Sequence, residues 1–133
     1  MDQIYTIPLA TIVDDFKLEV IVKPDNFEEI QISTPEVNRP GLALGGYYER
    51  FENTRLQIIG NAEASYLQKL THEQRLETFD RLFSYKFPAL LVARGLPIDP
   101  ECLEMARKHN VTVLRSQEAT STVVSAIIAY LKA

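Results

Sequence analysis

Residues 55–70 read RLQIIGNAEASYLQKL, and this stretch decides the fold class. Leu56, Ile58 and Ile59 around Gln57 make a short run suited to a buried strand, and Gly60 ends it. Asn61 is a residue type that caps helices, and Ala64, Tyr66, Leu67 and Leu70 follow at helical spacing. The alternation then repeats to the carboxyl end. Thr71 with Gln74 three residues later is a capping box, opening a helix whose apolar face is Leu76, Phe79, Leu82 and Phe83. Residues 89–93, ALLVA, are apolar throughout, as expected of a strand covered on both faces. Asp99-Pro100 predicts the next helix start, with Leu103 and Ala106 inward. Residues 111–114 predict another strand, and a last helix starting near Thr120 carries Val123, Val124, Ile127, Ile128 and Leu131 on one face. Such alternation implies right-handed crossovers and an α/β fold: three layers, αβα, around a largely parallel sheet of about five strands.

Upstream the pattern is less regular. Residues 8–16 predict a short amphipathic helix with Leu9, Ile12, Val13 and Phe16 inward, Thr6 as a cap and Pro8 in the first turn. Residues 18–22 and 29–33 read as two short strands, separated by Lys23-Pro24-Asp25-Asn26. Residues 38–66, NRPGLALGGYYERFENTRLQIIGNAEASY, hold four of the five glycines (Gly41, Gly45, Gly46, Gly60). A glycine cluster among polar and aromatic residues predicts a shaped loop, with one helical turn through Leu42 and Leu44.

The same loop carries a family resemblance. Arg39-Pro40-Gly41-Leu42, Leu44, Gly46-Tyr47, Phe51, Arg55, Gln57, Gly60, Glu63 and Tyr66 resemble the amino-terminal domain of HPr kinase/phosphorylase. Leu82-Phe83-Ser84-Tyr85 with Pro88, Val92-Ala93-Arg94-Gly95, and Leu114-Arg115-Ser116 with Ser121 continue it in the same order, so that it covers nearly the whole chain. The resemblance implies a domain similar in fold to the first domain of the Mur peptidoglycan ligases, which holds a uridine nucleotide. It places Asn38-Arg39 where those ligases have a Ser-Arg pair near the uridine. It further implies an enzyme that phosphorylates and dephosphorylates a seryl residue of HPr in carbon catabolite control of bacterial sugar uptake by the phosphotransferase system. Its partners would be HPr and its own kinase domain, and family members are homo-oligomers. The ATP and Mg that the family uses would belong to that kinase domain.

Composition agrees with one cytoplasmic domain. The 133 residues are 46% hydrophobic and 24% charged, a globular balance. A net charge of −4 gives no basic field for nucleic acid or anionic lipid. One cysteine, Cys102, excludes an internal disulfide, and no Cys/His cluster has zinc-ligand spacing. The amino terminus has an early Asp2 and no basic region before an apolar run, and no apolar stretch reaches membrane-spanning length, so the chain is expected to be unexported and free of membrane.

Phosphoryl transfer of the family's kind needs a phosphate-cradling loop ending in Gly-Lys. Here the residues after the five glycines are Leu42, Gly46, Tyr47, Asn61 and Leu96, and no Gly-Lys occurs. No catalytic residue and no metal ligand is nominated, no cofactor is expected in this chain, and it is expected to be an inactive fragment of a longer enzyme. A ligand site is a separate question. In an open α/β sheet, ligands bind at the carboxyl ends of strands, where helix starts offer N–H groups. Asn38, Arg39, Gly41, Gly45, Gly46, Asn61, Arg94, Arg115 and Ser116 are the candidates on that rule. The plain alternative is a shaped loop whose arginines tie down carboxylates and carbonyls. Tyr47, Tyr48 and Phe51 are candidates for an interface with another subunit or domain, against the commoner use of covering the end of the sheet. His72, His109 and Cys102 read as solvated, dipole-paired and packed residues. The leading functional expectation is a non-catalytic domain supporting oligomer assembly or regulation. The alternative is a module sensing a phosphorylated metabolite or nucleotide.

Overall fold

The computed structural model describes residues 6–132. Asp2, on which the reading of the amino terminus partly rests, lies outside them. The elements run β1 (Ile7–Pro8), α1 (Leu9–Phe16), β2 (Glu19–Val22), a 3-10 turn (Phe27–Glu29), β3 (Gln31–Ile32), β4 (Val37–Asn38), α2 (Gly41–Leu44), β5 (Leu56–Ile59), α3 (Asn61–Gln68), α4 (His72–Phe83), β6 (Ala89–Val92), α5 (Pro100–His109), β7 (Thr112–Arg115) and α6 (Thr120–Lys132). The main sheet has the order β2-β7-β6-β5-β4. Strands β4 to β7 are parallel, and β2 adds to the edge antiparallel to β7.

The parallel strands alternate between two cores. Leu56 and Ile58 of β5, Ala89 and Leu91 of β6 and Leu114 of β7 face Leu9 and Ile12 of α1 and Val123 and Ile127 of α6. Ile59, Leu90, Val92 and Val113 face the other way, onto Phe79, Leu82 and Phe83 of α4 and Cys102 and Ala106 of α5. Three layers follow from this period of two. Gln57 is the polar exception within β5, wholly buried. Its amide accepts from Asn38 Nδ2 at 2.7 Å and donates to the carbonyls of Glu52 and Arg55 at 3.0 Å each, tying edge strand β4 to the loop before β5. Every hydrogen-bonding group it buries is thereby matched.

The amino-terminal third departs from the sequence reading. Only Gln31 and Ile32 of residues 29–33 are strand, and they pair with β1 in a separate two-stranded ladder, Ile7 opposite Ile32. The sheet edge is instead Val37-Asn38, although Asn38 reads in the sequence as the start of the glycine-rich loop. Pro35 separates the two segments, and a two-residue strand shows no periodicity to read. Pro8 is the residue before α1 rather than part of its first turn, and no side chain caps that helix. Thr71 and Gln74 form the expected capping box, Gln74 N–H to Thr71 Oγ1 at 3.2 Å and Thr71 N–H to Gln74 Oε1 at 2.8 Å.

Helices α4 and α5 run alongside each other, joined by ion pairs at both ends. Near their starts, Glu101 Oε2 is 2.6 Å from His72 Nδ1, and Glu101 Oε1 is 3.3 Å from Arg75 Nε. Further along, Asp80 Oδ1 is 2.7 Å from His109 Nε2 and 3.0 Å from Lys108 Nζ. The histidines are therefore bridging residues, not simply solvated ones, and their partners are too distant in sequence for spacing to show. The His72 hydrogen bond, helped by Arg75 against the cost of burial, holds the Glu101 carboxyl below its ordinary value of 4.5. A carboxyl depressed in the folded state stabilises fully above its unfolded pKa and loses that contribution as pH falls through the folded value. Glu101→Gln is therefore expected to cost about 2 kcal/mol at neutral pH, with the difference from the parent shrinking below pH 4.5. Urea unfolding of both proteins at a series of pH values checks this, and a pH-independent difference would refute the assignment.

Candidate functional site at the carboxyl edge of the sheet

Because β4 to β7 are parallel, the turns after them share one edge. A cleft of about 330 Å³ opens there, lined by Arg39, Asn61, Ala62, Arg94, Thr120, Ser121 and Val124. Three candidates from the sequence, Arg39, Asn61 and Arg94, meet in it. The amino-terminal ends of α3 and α6 form its other walls.

Arg39 is held by a buried carboxylate. Its Nε donates to Glu63 Oε2 at 3.0 Å and its Nη2 to Glu63 Oε1 at 2.7 Å, a bidentate pair. Glu63 Oε1 also accepts the Gly60 N–H at 2.8 Å. The cap of α3 is thus Gly60 with Glu63 reaching back to it, and Asn61 is the first helical residue rather than the cap. Glutamate three positions into a helix can satisfy the start without a capping side chain, and Gly60 is needed for another reason. A Cβ there would collide with Thr120 Oγ1 and stand 3.0 Å from Arg39 Nη2. Burial opposes ionisation of Glu63, yet Arg39 and the Gly60 N–H outweigh it and hold the carboxyl below its ordinary range. Arg94 is exposed, in the left-handed region at φ 62°, and its N–H donates to the Glu118 carbonyl at 2.7 Å.

The remaining candidates are engaged elsewhere. Asn38 holds Gln57. Arg115 pairs across the sheet edge with Glu19, Nε to Oε1 at 3.0 Å and Nη2 to Oε2 at 3.2 Å. Ser116 is buried, its Oγ accepting the Glu118 N–H at 3.1 Å and its N–H donating to the Val92 carbonyl at 2.8 Å. Gly41 opens α2, while Gly45 and Gly46 line a separate cleft of about 270 Å³ with Tyr48, Tyr66 and Arg81. Gly46, at φ 103°, is the one of these whose backbone requires glycine. Thr120 and Ser121 were missed as site residues. The hydroxyl run Thr120-Ser121-Thr122 at a helix start was their only signal, and nothing in it says which strand end that helix faces.

The aromatic candidates divide. Tyr48 stacks on Tyr85 with centroids 4.5 Å apart, and Arg81 lies 4.3 Å above its ring. Phe51 meets Tyr85 and Phe87 edge-on at 5.1 and 6.1 Å. Burial pushes the Tyr48 hydroxyl up to about 12. Tyr47, at 46% exposure, faces solvent. Cys102 is buried and its thiol is pushed up by that burial, so it is a packed residue. Among the described residues no group of His, Cys, Asp and Glu is arranged to hold a metal ion, and no helix is long and apolar enough to cross a membrane.

The contact around Gly60 gives a direct test. Gly60→Ala is expected to destabilise by about 2 kcal/mol, because Thr120 and Arg39 must both shift. Gly41→Ala, whose Cβ would meet nothing within 4 Å, should stay within about 0.5 kcal/mol of the parent. Thermal or urea unfolding of the two variants should separate them clearly.

Comparison with known proteins is consistent along the whole chain. Residues 7–131 match the family described as HPr Serine kinase N terminus. The chain is 42% identical over 125 residues to an HPr kinase/phosphorylase of Thermoanaerobacter sp. (strain X514), covering 94% of this chain and 41% of that protein. It is 34% identical over 128 residues to the HPr kinase/phosphorylase of Lachnoclostridium phytofermentans, covering 96% of this chain and 41% of that one. The chain thus spans about two-fifths of the length of these relatives. A solved structure of the CBS and DRTGG domains of the regulatory region of Clostridium perfringens pyrophosphatase, complexed with its activator diadenosine tetraphosphate, superposes with a TM-score of 0.61 at 21% identity. That match covers 91% of this chain and 45% of the other, and shows likeness of fold. With the family matched over residues 7–131 and relatives at 34–42% identity, the chain belongs to the HPr serine kinase N-terminus family.

Proposed function

We propose that this chain acts as the non-catalytic amino-terminal domain of an HPr kinase/phosphorylase in carbon catabolite control, and that it supports assembly of the enzyme from several copies. The observation that carries this reading is one of extent: the match runs through 94% of the chain but 41% of the relative, and no Gly-Lys of a phosphate-cradling loop lies within it. ATP, Mg and the HPr-binding chemistry belong, on this reading, to a kinase domain outside these residues, in the cytoplasm.

Assembly has a specific surface to work through. Leu42 is 72% exposed, Tyr47 46% and Tyr66 39%. The Tyr47 N–H donates to the Leu42 carbonyl at 2.9 Å, placing those two together, and Tyr66 lines the same 270 Å³ cleft as Gly45 and Gly46. Beneath them the Tyr48–Tyr85–Phe51 cluster gives a packed base. Tyrosines over a packed base are of the residue type that anchors interfaces, and the exposed Leu42 extends the apolar patch beside them.

Sedimentation velocity over a concentration series tests this reading. The parent chain should exceed monomer size, and Tyr47→Ala or Leu42→Asp should weaken association by about tenfold or more without lowering the melting temperature. Phe51→Ala is a poor probe, since that half-buried ring packs on Tyr48, Tyr85 and Phe87 and its loss should lower stability by about 2 kcal/mol. A parent chain that remains monomeric at every concentration would sink the assembly role.

A further inference from the structure

We propose that two copies of this chain pair about a twofold axis at the 270 Å³ cleft beside Gly45 and Gly46, with Leu42 and Tyr47 of each copy seating in the cleft of the other. The inference rests on the assembly reading and names the contact through which assembly proceeds.

Shape favours self-pairing. Among the described residues four large apolar side chains are exposed, Val20, Leu42, Tyr47 and Tyr66, and three of the four border this one cleft. Ala43 and Leu44 of α2, the Gly45-Gly46 turn, Tyr66 of α3 and Arg81 of α4 line it. Gly46 N–H donates to the Ala43 carbonyl and Tyr47 N–H to the Leu42 carbonyl, both at 2.9 Å, so the turn folds back on α2 and sets Leu42 and Tyr47 together at its lip. The two glycines bring no side chain to the wall, which keeps the recess open beside the protrusion. An isologous contact needs both features on one patch, because each copy must offer what the other copy receives. A foreign partner would need only one of them.

Charge selects a second copy as the occupant. The chain carries −4 in total, so two copies repel except where charge is locally balanced. It is balanced here: Glu49 and Arg50 lie on the protruding side and Glu77 and Arg81 on the recessed side, all four exposed. Among the described residues none of the four is in an ion pair within its own copy. Glu49 is carried with the protrusion, its Oε2 accepting from Tyr47 Oη at 3.3 Å. Arg81 is held at the recess, over the Tyr48 ring. Seating Leu42 and Tyr47 in the facing cleft therefore brings Glu49 of one copy to Arg81 of the other, and symmetry repeats the pair.

Gly45 supplies a probe that leaves the fold alone. Its φ is −81°, open to any residue, and a Cβ there would meet only the carbonyl oxygens of Leu42 and Gly41, at 3.5 and 3.8 Å. Sedimentation velocity over a concentration series should show the parent saturating at two copies. Gly45→Leu, which fills the recess, and Leu42→Asp, which spoils the protrusion, should each weaken pairing about tenfold or more. Both should melt no lower than the parent at a concentration where all are monomeric. Mixed in equal amounts, these two variants should pair more tightly than either does alone, since the mixed pair keeps one of its two contacts undamaged. Arg81→Glu and Glu49→Lys should each weaken pairing about tenfold, and the double variant should recover it, because the attraction returns with its signs exchanged. Growth past two copies, Gly45→Leu with the parent's affinity, or a double variant no tighter than the single ones would overturn this contact while leaving assembly through another surface standing. A parent that stays monomeric would overturn both.

Discussion

The carboxyl edge of this domain depends on one buried carboxylate. Glu63 accepts two hydrogen bonds from Arg39 and one from Gly60 N–H, and through them it joins the residue after β4, the residue after β5 and the first turn of α3. Its 6% exposure makes the pairing obligatory, since a carboxylate taken from water without partners costs several kcal/mol. Arg39 is the less buried of the two, at 43%. Losing the arginine therefore leaves the more expensive group stranded, while the reverse loss leaves a guanidinium that water can reach. The same knot brings Gly60 so close to Thr120 that no side chain fits between them, so the start of α6 is seated on the end of β5 by shape as well as by apolar burial.

How much of this was legible follows the range of the interactions. Strands β5, β6 and β7 announce themselves as short apolar runs, and α4 announces itself through Thr71 and Gln74, because every residue involved is a near neighbour in sequence. Strand β4 does not. Val37 and Asn38 alternate with nothing, and what makes them a strand is pairing with Leu56 and Gln57, some 19 residues later. The helix start at Gly60 was misread for a similar reason. Asparagine is the better cap by type, but the position before it must be glycine to admit Thr120, 60 residues away, and Glu63 then supplies the capping oxygen.

The candidate site shows the same division. The strand-end rule brought Arg39, Asn61 and Arg94 to one cleft from sequence alone, because parallel strands with helical crossovers leave their carboxyl ends on one edge. It could not tell Arg94 from Arg115. Both lie at a strand's carboxyl end, but Arg115 is the last residue of β7, beside the antiparallel β2, and is taken up by Glu19, 96 residues earlier in the chain. Nor could it find Thr120, whose helix packs on the opposite face of the sheet from α3. Charge partners and the placement of a crossing helix are tertiary facts, and local pattern carries no trace of them.

Both ends of the sheet are made rigid, by different means. Ahead of β5 and β6, Phe51, Tyr85 and Phe87 interlock with Tyr48. Alongside them, α4 and α5 are clamped near both ends through Glu101 and Asp80. At the carboxyl edge the clamp is the Glu63 knot, and next to it Arg94 is exposed on a turn with two successive left-handed residues, Arg94 and Gly95. A scaffold whose helices are fixed and whose exposed cation sits on a turn can change what that turn meets without changing the fold. The fold is shared at 21% identity with the CBS and DRTGG domains, and in such folds edge loops diverge more freely than the sheet that carries them.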